Sequence, residues 1–404
     1  MDRKQQFVSP RALIDQSAGP TASRTGLSAS VQPPTQSPGL PLVSIGSLNG
    51  SDYVGGLAAY QRFLRSGLMD SGIEVRMVGT EAKGAKRWQR LVPLMRRLAS
   101  RPRWHFILEV IVRVATPPGI RAKPLGRFCH YVGTGWDFVG FALLQTARRQ
   151  GAGFSVWPAV HPGQWGDDHI DLLLYNQADV VFCQSDHEAD HLVARGLDRA
   201  KVVRCGLPPM CRPDGNGVRL REKLRIQDRP AVLFVGRRDQ GKGYPALLAA
   251  WRLVHQACPE AVLLLIGPKS GGGPENLSES ILDLGTADEI TKADALAACD
   301  IFCLPSAHES FGIVYVEAWS YEKPVICGPA PASRELVANE VTGLWAEQSA
   351  ESIAAQLLRL LNDRRLARQF GAAGLQLQRE HYTAGRMLQA HLDAWHLASQ
   401  LRSP

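Results

Sequence analysis

A chain of 404 residues with 45% hydrophobic and 21% charged side chains is long enough for two domains with separate cores. Its apolar runs all fall short of the ~18 residues needed to span a bilayer. The net charge of +8 is concentrated in residues 81–127, where twelve Lys or Arg face Glu81 and Glu109. The remainder is slightly acidic, which argues against a surface that coats nucleic acid and for one local anionic partner.

Along the chain, "MDRKQQF" is followed by no apolar run, so no secretory leader is predicted. Residues 8–41 hold six Ser, six Pro, three Thr and three Gly, a composition that cannot bury enough apolar surface to order itself; residues 1–40 are therefore expected to be a disordered tail. From Pro41 a strand–helix rhythm begins. "PLVSIGS" reads as a strand, Gly55-Gly56 opens a helix to about residue 71, and "IEVRMVGT" is the next strand. In the basic segment 84–99, Trp88, Leu91, Val92, Met95 and Leu98 share a helical stripe flanked by Lys86, Arg87, Arg90, Arg96 and Arg97. Such a helix either lies on an anionic membrane or packs its stripe on the sheet, and Pro93 would kink it. "HFILEVIVRVA" (105–115) reads as a buried strand. "RFCHYVG", "GFSVWPAV", "ADVVFCQS" and "KVVRCG" follow as strands, with helices near 137–150, 168–177 and 186–195.

The Pro-rich "CGLPPMCRPDG" (205–215) reads as a linker. Beyond it, "AVLFVG", "AVLLLIG", "DIFCLP" and "KPVICG" are short strands apolar on both faces, separated by helices, and 350–402 is helical throughout. This alternation predicts an α/β protein of two doubly wound, parallel-sheet domains. The expected boundaries are 41–205 for a Rossmann-like acceptor-binding domain and 206–383 for a Rossmann-like nucleotide-sugar domain. A final helix, 384–404, is able to return to the first. The eight cysteines (129, 183, 205, 211, 258, 299, 303, 327) include no C-x-x-C pair, as expected of reduced, mostly buried thiols in the cytosol.

Two motifs carry chemistry. In "AVLFVGRRDQGKGYPALL" (231–248), Gly236, Gly241 and Lys242 fit the phosphate-loop spacing G-x-x-x-x-G-K, but Gly243 stands where that loop has a magnesium-binding Ser or Thr. Arg237 and Arg238 offer forked donors for phosphate oxygens, so a diphosphate is within reach of fixed cations and a helix N-terminus without a metal. In "HESFGIVYVEAWSYEKPVICG" (308–328), Glu309 precedes a helix start and Glu317 lies eight residues on, a little over two turns. The backbone N–H groups of Phe311, Gly312 and Ile313 there favour an anion.

With "RELVANEVTGLWA" (334–346), these motifs make the C-terminal half resemble the retaining family-4 glycosyltransferases of GT-B fold (glycosyl transferases group 1), whose marks are E-x7-E (Glu309, Glu317) and G-R-x4-K-G (Gly236, Arg237, Lys242, Gly243). The resemblance covers about 206–383. It implies two Rossmann-like domains facing a cleft. It also implies a hexosyltransferase-type enzyme that moves a sugar from a nucleotide-diphosphate sugar to a glycan or lipid-linked acceptor, with retention, in cell-surface polysaccharide or glycolipid synthesis. Arg237 and Lys242 would bind the donor diphosphate, Glu309 the donor sugar and Glu317 the ribose, while Gly55-Gly56 resemble the family's glycine-rich loop beside the donor phosphates. His161 in "VWPAVHPGQWGDDHID" (156–171) is similar to the family's first-domain histidine near the reacting sugar. Trp157, Trp165 and Asp167 are its neighbours around an acceptor pocket, whereas His130 is read as structural.

No metal and no cofactor beyond the donor substrate are expected. The implied location is cytoplasmic, peripheral on the inner membrane face. A GT-B sugar phosphorylase, a nucleotide-sugar epimerase and, more remotely, a P-loop NTPase are the alternatives. The sequence departs from the family at Glu322-Lys323-Pro324-Val325, where G-x-P-V is usual, at "GPAPASRE" (328–335), and in the long "GPKSGGGPENL" (267–277).

Overall fold

The computed structural model describes residues 42–47, 56–78, 104, 107, 110, 125–137, 139–269 and 277–402. The expected disordered tail, Gly55 and the basic helix 84–99 lie outside them. Of the described residues, 42–206 and 384–402 form one compact unit and 207–383 another.

The first unit is built on six parallel strands, β1 (Leu42–Gly46), β2 (Glu74–Val78), β3 (Phe128–Val132), β4 (Gly153–Trp157), β5 (Val180–Cys183) and β6 (Val202–Arg204), in the order β2-β1-β3-β4-β5-β6. The central strands β3, β4 and β5 are buried along their whole length, which is why their sequences are continuous apolar runs rather than alternating ones. Helices α1 (Gly56–Asp70), α2 (Val139–Gln150), α3 (His169–Tyr175) and α4 (Asp186–Ala194) connect them. Local chemistry sets the helix starts. Ser185 Oγ accepts from Glu188 N to begin α4, and Asp168 with Asp171 forms a capping box at α3.

The second unit repeats the plan with β7 (Ala231–Val235), β8 (Val262–Ile266), β9 (Ile281–Asp283), β10 (Ile301–Leu304), β11 (Val325–Cys327) and β12 (Gly343–Trp345), ordered β12-β11-β10-β7-β8-β9. Its helices are α5 (Gly217–Leu224), α6 (Tyr244–Ala257), α7 (Glu289–Ala298), α8 (Ile313–Ser320), α9 (Pro331–Leu336), α10 (Ala350–Asn362) and α11 (Arg364–His381). In each sheet the winding direction reverses between neighbouring strands, at β1/β3 in the first and at β7/β10 in the second. Open parallel sheets bind ligands at such reversals, beyond the strand C-termini.

The last helix, α12 (Ala384–Arg402), belongs to the first unit. A buried chain of polar groups ties it there. His391 joins the Tyr60 hydroxyl at 2.6 Å, Tyr60 joins His130 at 2.9 Å, His130 joins Ser155 Oγ at 2.9 Å, and Trp395 Nε1 donates to Ser155 Oγ at 2.8 Å. Burial pushes the His391 imidazole down to about 4 and holds His130 well below its ordinary value. His130 is therefore a core residue.

Two strand readings need correction. Ile107 and Val110, the described apolar residues of 105–115, are helical, and at 38% and 42% exposure they are not a buried strand. The edge strands β9 and β12 were absent from the expected elements: β9 is largely outside the core, and β12 is a Gly-Leu-Trp triplet with no apolar run around it. All eight cysteines are unpaired thiols, seven of them buried. Among the described residues no helix is long and apolar enough to cross a membrane.

Candidate functional site

In the second unit the loops after β7 and β10 lie side by side because those strands are neighbours. They are knitted together. Ala307 N and Ser306 Oγ both donate to Gly241 O, at 2.9 and 3.1 Å. Gly243 has φ 72°, and a Cβ there would stand 2.2 Å from Pro305 O, so the position accepts glycine alone without rearrangement. The residue that spoils the phosphate-loop signature is thus fixed by the close approach of the neighbouring loop. The turn itself is organised by Asp239, whose Oδ1 accepts from Lys242 N at 2.9 Å and whose Oδ2 lies 2.9 Å from Arg237 Nε.

That packing brings Lys242 Nζ to Glu309 Oε1 at 2.6 Å, joining the two motifs across 67 residues, with the side chains 15% and 9% exposed. Gly236 packs near Lys242 Cγ and Leu304. The two arginines separate. Arg237 is 64% exposed at the site, whereas Arg238, expected to share the phosphate grip, has a wholly buried side chain and forms a two-pronged ion pair with Asp283, Nη1 donating to Oδ2 at 2.9 Å and Nη2 to Oδ1. That guanidinium holds the Asp283 carboxyl well below the usual carboxylate range. Arg238 is structural because an ion pair with β9 claims both its terminal nitrogens.

Helix α8 starts at Gly312 (φ 86°), and among the described residues no side chain caps it. Its first N–H groups therefore face the site unclaimed by a cap. Phe311 contributes backbone only, since its ring is buried against Tyr382 at 5.6 Å. Glu317 lies one helical turn further on, 1% exposed. Lys292 Nζ from α7 is 2.7 Å from both its oxygens, donating to Oε1 and closing the ion pair on Oε2. Burial pulls the Lys292 ammonium down, but the Glu317 carboxylate outweighs it and holds it above its ordinary value. The third motif is structural. Trp345 Nε1 donates to Val337 O at 2.7 Å, and Ala338 N donates to Thr342 Oγ1 at 3.0 Å, locking β12 onto the sheet edge.

In the first unit Gly56 is the exposed first residue of α1, and Gly55 lies outside the described residues. His161 opens a short turn beyond β4, its backbone exchanging hydrogen bonds with Trp165 at 3.2 and 3.1 Å and its ring stacked on the indole at 5.2 Å. Two of its expected neighbours are not pocket walls. Trp157 is 2% exposed and stacked on Tyr60 at 3.9 Å, and Asp167 is spent inside the turn, where Oδ2 accepts from Gly163 N at 2.8 Å and meets His191 Nε2 at 2.7 Å.

Residues 219–377 match the family model described as "Glycosyl transferases group 1". The second unit belongs to that family. Named relatives align with part of the chain. One is a D-inositol 3-phosphate glycosyltransferase of Segniliparus rotundus, 32% identical over 50% of this chain and 49% of the relative. Another is a GDP-mannose-dependent alpha-(1-6)-phosphatidylinositol monomannoside mannosyltransferase of Mycobacterium tuberculosis, 32% identical over 38% and 44%. The chain spans about half the length of the curated relatives it matches. Structures similar across the group 1 domain and the first unit include Anabaena Alr3699/HepE in complex with UDP and glucose, with a TM-score of 0.65 at 15% identity, covering 88% of this chain and 99% of that one. Sucrose-phosphate synthase from Thermosynechococcus elongatus gives 0.65 at 19% identity, covering 89% and 98%. At such identities these likenesses carry the fold alone, and the fold is GT-B, as the resemblance implied.

Sequence reasoning missed Asp239, Lys292 and Ser306 in the group 1 domain. Asp239 sits inside the glycine–lysine motif and was readable as its turn-former. Lys292 lies 25 residues from its partner with no local signal.

Proposed function

We propose that this protein transfers a sugar from a nucleotide-diphosphate donor to a glycan or lipid-linked acceptor with retention at the anomeric carbon. The observation that carries the reading is the Lys242–Glu309 pair, set at the strand reversal of a group 1 domain beside an uncapped helix start. Lys242 and exposed Arg237 bind the donor diphosphate and stabilise the charge that grows on it as the glycosidic bond breaks. Glu309 then exchanges part of its ion pair for hydroxyls of the donor sugar. Glu317, its carboxylate fixed by Lys292, accepts from a ribose hydroxyl. Two cations and a helix start hold a diphosphate without a metal ion. In the first unit His161, just beyond β4, is the residue proposed to hydrogen-bond a sugar hydroxyl.

Relatives named for inositol 3-phosphate and for phosphatidylinositol monomannoside favour a phosphorylated or lipid-linked polyol as acceptor. Such an acceptor suits a cytoplasmic enzyme held on the inner membrane face by the basic segment 84–99. Thermal stabilisation by a panel of UDP-, GDP- and ADP-sugars tests the reading. One donor should raise the melting temperature and be slowly hydrolysed without metal. No stabilisation and no hydrolysis with any of them would overturn it, and magnesium-dependent ATP hydrolysis would replace it with an NTPase.

A further inference from the structure

Among the described residues Trp165 is the one aromatic side chain that ranks with the exposed large hydrophobics, at 37%. The other large rings are placed differently; Trp251, Trp319 and Trp395 are fully buried. A single exposed apolar side chain needs no special account. This one is held rigidly, and that does need one.

The turn that carries it is braced from several directions. His161 and Trp165 exchange backbone hydrogen bonds, and Trp165 stacks on the His161 ring at 5.2 Å with the planes 27° apart. Asp167 draws Gly163 N and His191 Nε2 onto one carboxylate oxygen, and Arg195 Nη2 donates to Asp167 O at 3.1 Å. His191 of α4 and Arg195 just past its end thus both hold Asp167, two residues after the turn. One indole face rests on His161, which sets the orientation of the ring; the residue is 37% exposed, and the face open to a ligand is the opposite one. Ordering costs that a ligand would otherwise meet are already met in the fold.

We propose that this indole face is a stacking platform for the acceptor, and that it takes a pyranose or cyclitol ring. The C–H bonds of a polyhydroxylated ring carry partial positive charge from their oxygens, and the indole face is the negative end of its quadrupole. The face selects ring shape over charge, because the carboxylate beside it is already occupied by His191 and Gly163 N. The inference rests on the transferase reading, since it names the acceptor class, but it is tested in the first unit alone.

Saturation-transfer NMR with methyl α-mannopyranoside, methyl α-glucopyranoside and myo-inositol, one at a time, provides the test. Wild type should transfer saturation to the C–H protons of at least one ring. Trp165→Ala should lose at least five-fold of that signal, and Trp165→Phe should keep most of it. UDP and GDP binding, measured on the same samples, should stay within two-fold, which also shows that the variants are folded. A silent wild type with all three rings, or an alanine variant that keeps its signal, overturns the platform. Ring binding that depends on Trp165 in a protein that binds no nucleotide-sugar supports the platform and removes the transferase reading.

Discussion

Replacing Lys292 by Met removes the cation that faces the most deeply buried carboxylate of the group 1 domain while keeping the length of the side-chain stem. At 2.7 Å and an effective dielectric of about 20, the attraction is about 6 kcal/mol before desolvation is subtracted. Once the partner is gone, the 1% exposed Glu317 must stay charged without it or take a proton, and losses of about 3–5 kcal/mol follow from breaking such pairs. The reverse change is milder. In Glu317→Gln the Lys292 side chain, 19% exposed, can extend its ammonium to water, for a loss of about 1 kcal/mol. Removing both charges in Lys292→Met/Glu317→Leu should recover most of the first loss, because no buried charge is stranded. Hydrogen exchange of peptides covering α7 and α8 reads the second unit by itself. A loss of about 3 kcal/mol appears there as roughly 150-fold faster exchange. Equal losses in the two single variants, or a double variant equal to their sum, would refute the argument that desolvation of Glu317 dominates.

Gly243→Ser completes a phosphate-loop signature in the sequence, yet it should destabilise the second unit by at least ~2 kcal/mol and confer no ATP hydrolysis, since φ 72° and Pro305 O both oppose a side chain. A stable, ATP-hydrolysing variant would contradict that. Lys242→Ala should abolish stabilisation by the donor sugar nucleotide in thermal melts while costing only about 1–2 kcal/mol of fold stability; unchanged donor binding would remove the diphosphate role from Lys242. The folded state holds His391 neutral, with its protonation lowered from 6.5 to about 4. Its contribution is therefore complete above pH 6.5 and is lost as pH falls from 6.5 towards 4, by about 3 kcal/mol in all. Exchange of α12 peptides should accelerate over that window, and His391→Phe should flatten the slope. An unchanged slope would assign the acid sensitivity to other groups.

The fold was legible because its central strands are buried on both faces and so announce themselves as unbroken apolar runs. Edge strands β9 and β12 have no such signature; β9 is half exposed and holds its place partly through Asp283. The candidate site was legible wherever a residue sits inside a motif of its own, as Lys242 does in the glycine–lysine loop and Glu309 in the E-x7-E segment. It was obscure wherever a role depends on a distant partner. Arg237 and Arg238 are adjacent and chemically identical, and only the position of Asp283, 45 residues on, makes one exposed and the other structural. Trp157 and Trp165 differ in the same way, one stacked inside on Tyr60 and the other set on a braced turn. Composition and spacing cannot express such choices, because they are made by packing.

The chain leaves the first unit at Gly206 and re-enters it at Ala384. During synthesis, the first unit must therefore wait, open along Tyr60, His130 and Phe182, until nearly two hundred further residues have been made and α12 arrives to cover them. The second unit has no such debt to later sequence and can complete its own sheet first. Loss of the last twenty residues would then be felt as damage to the beginning of the protein, with the second unit left whole.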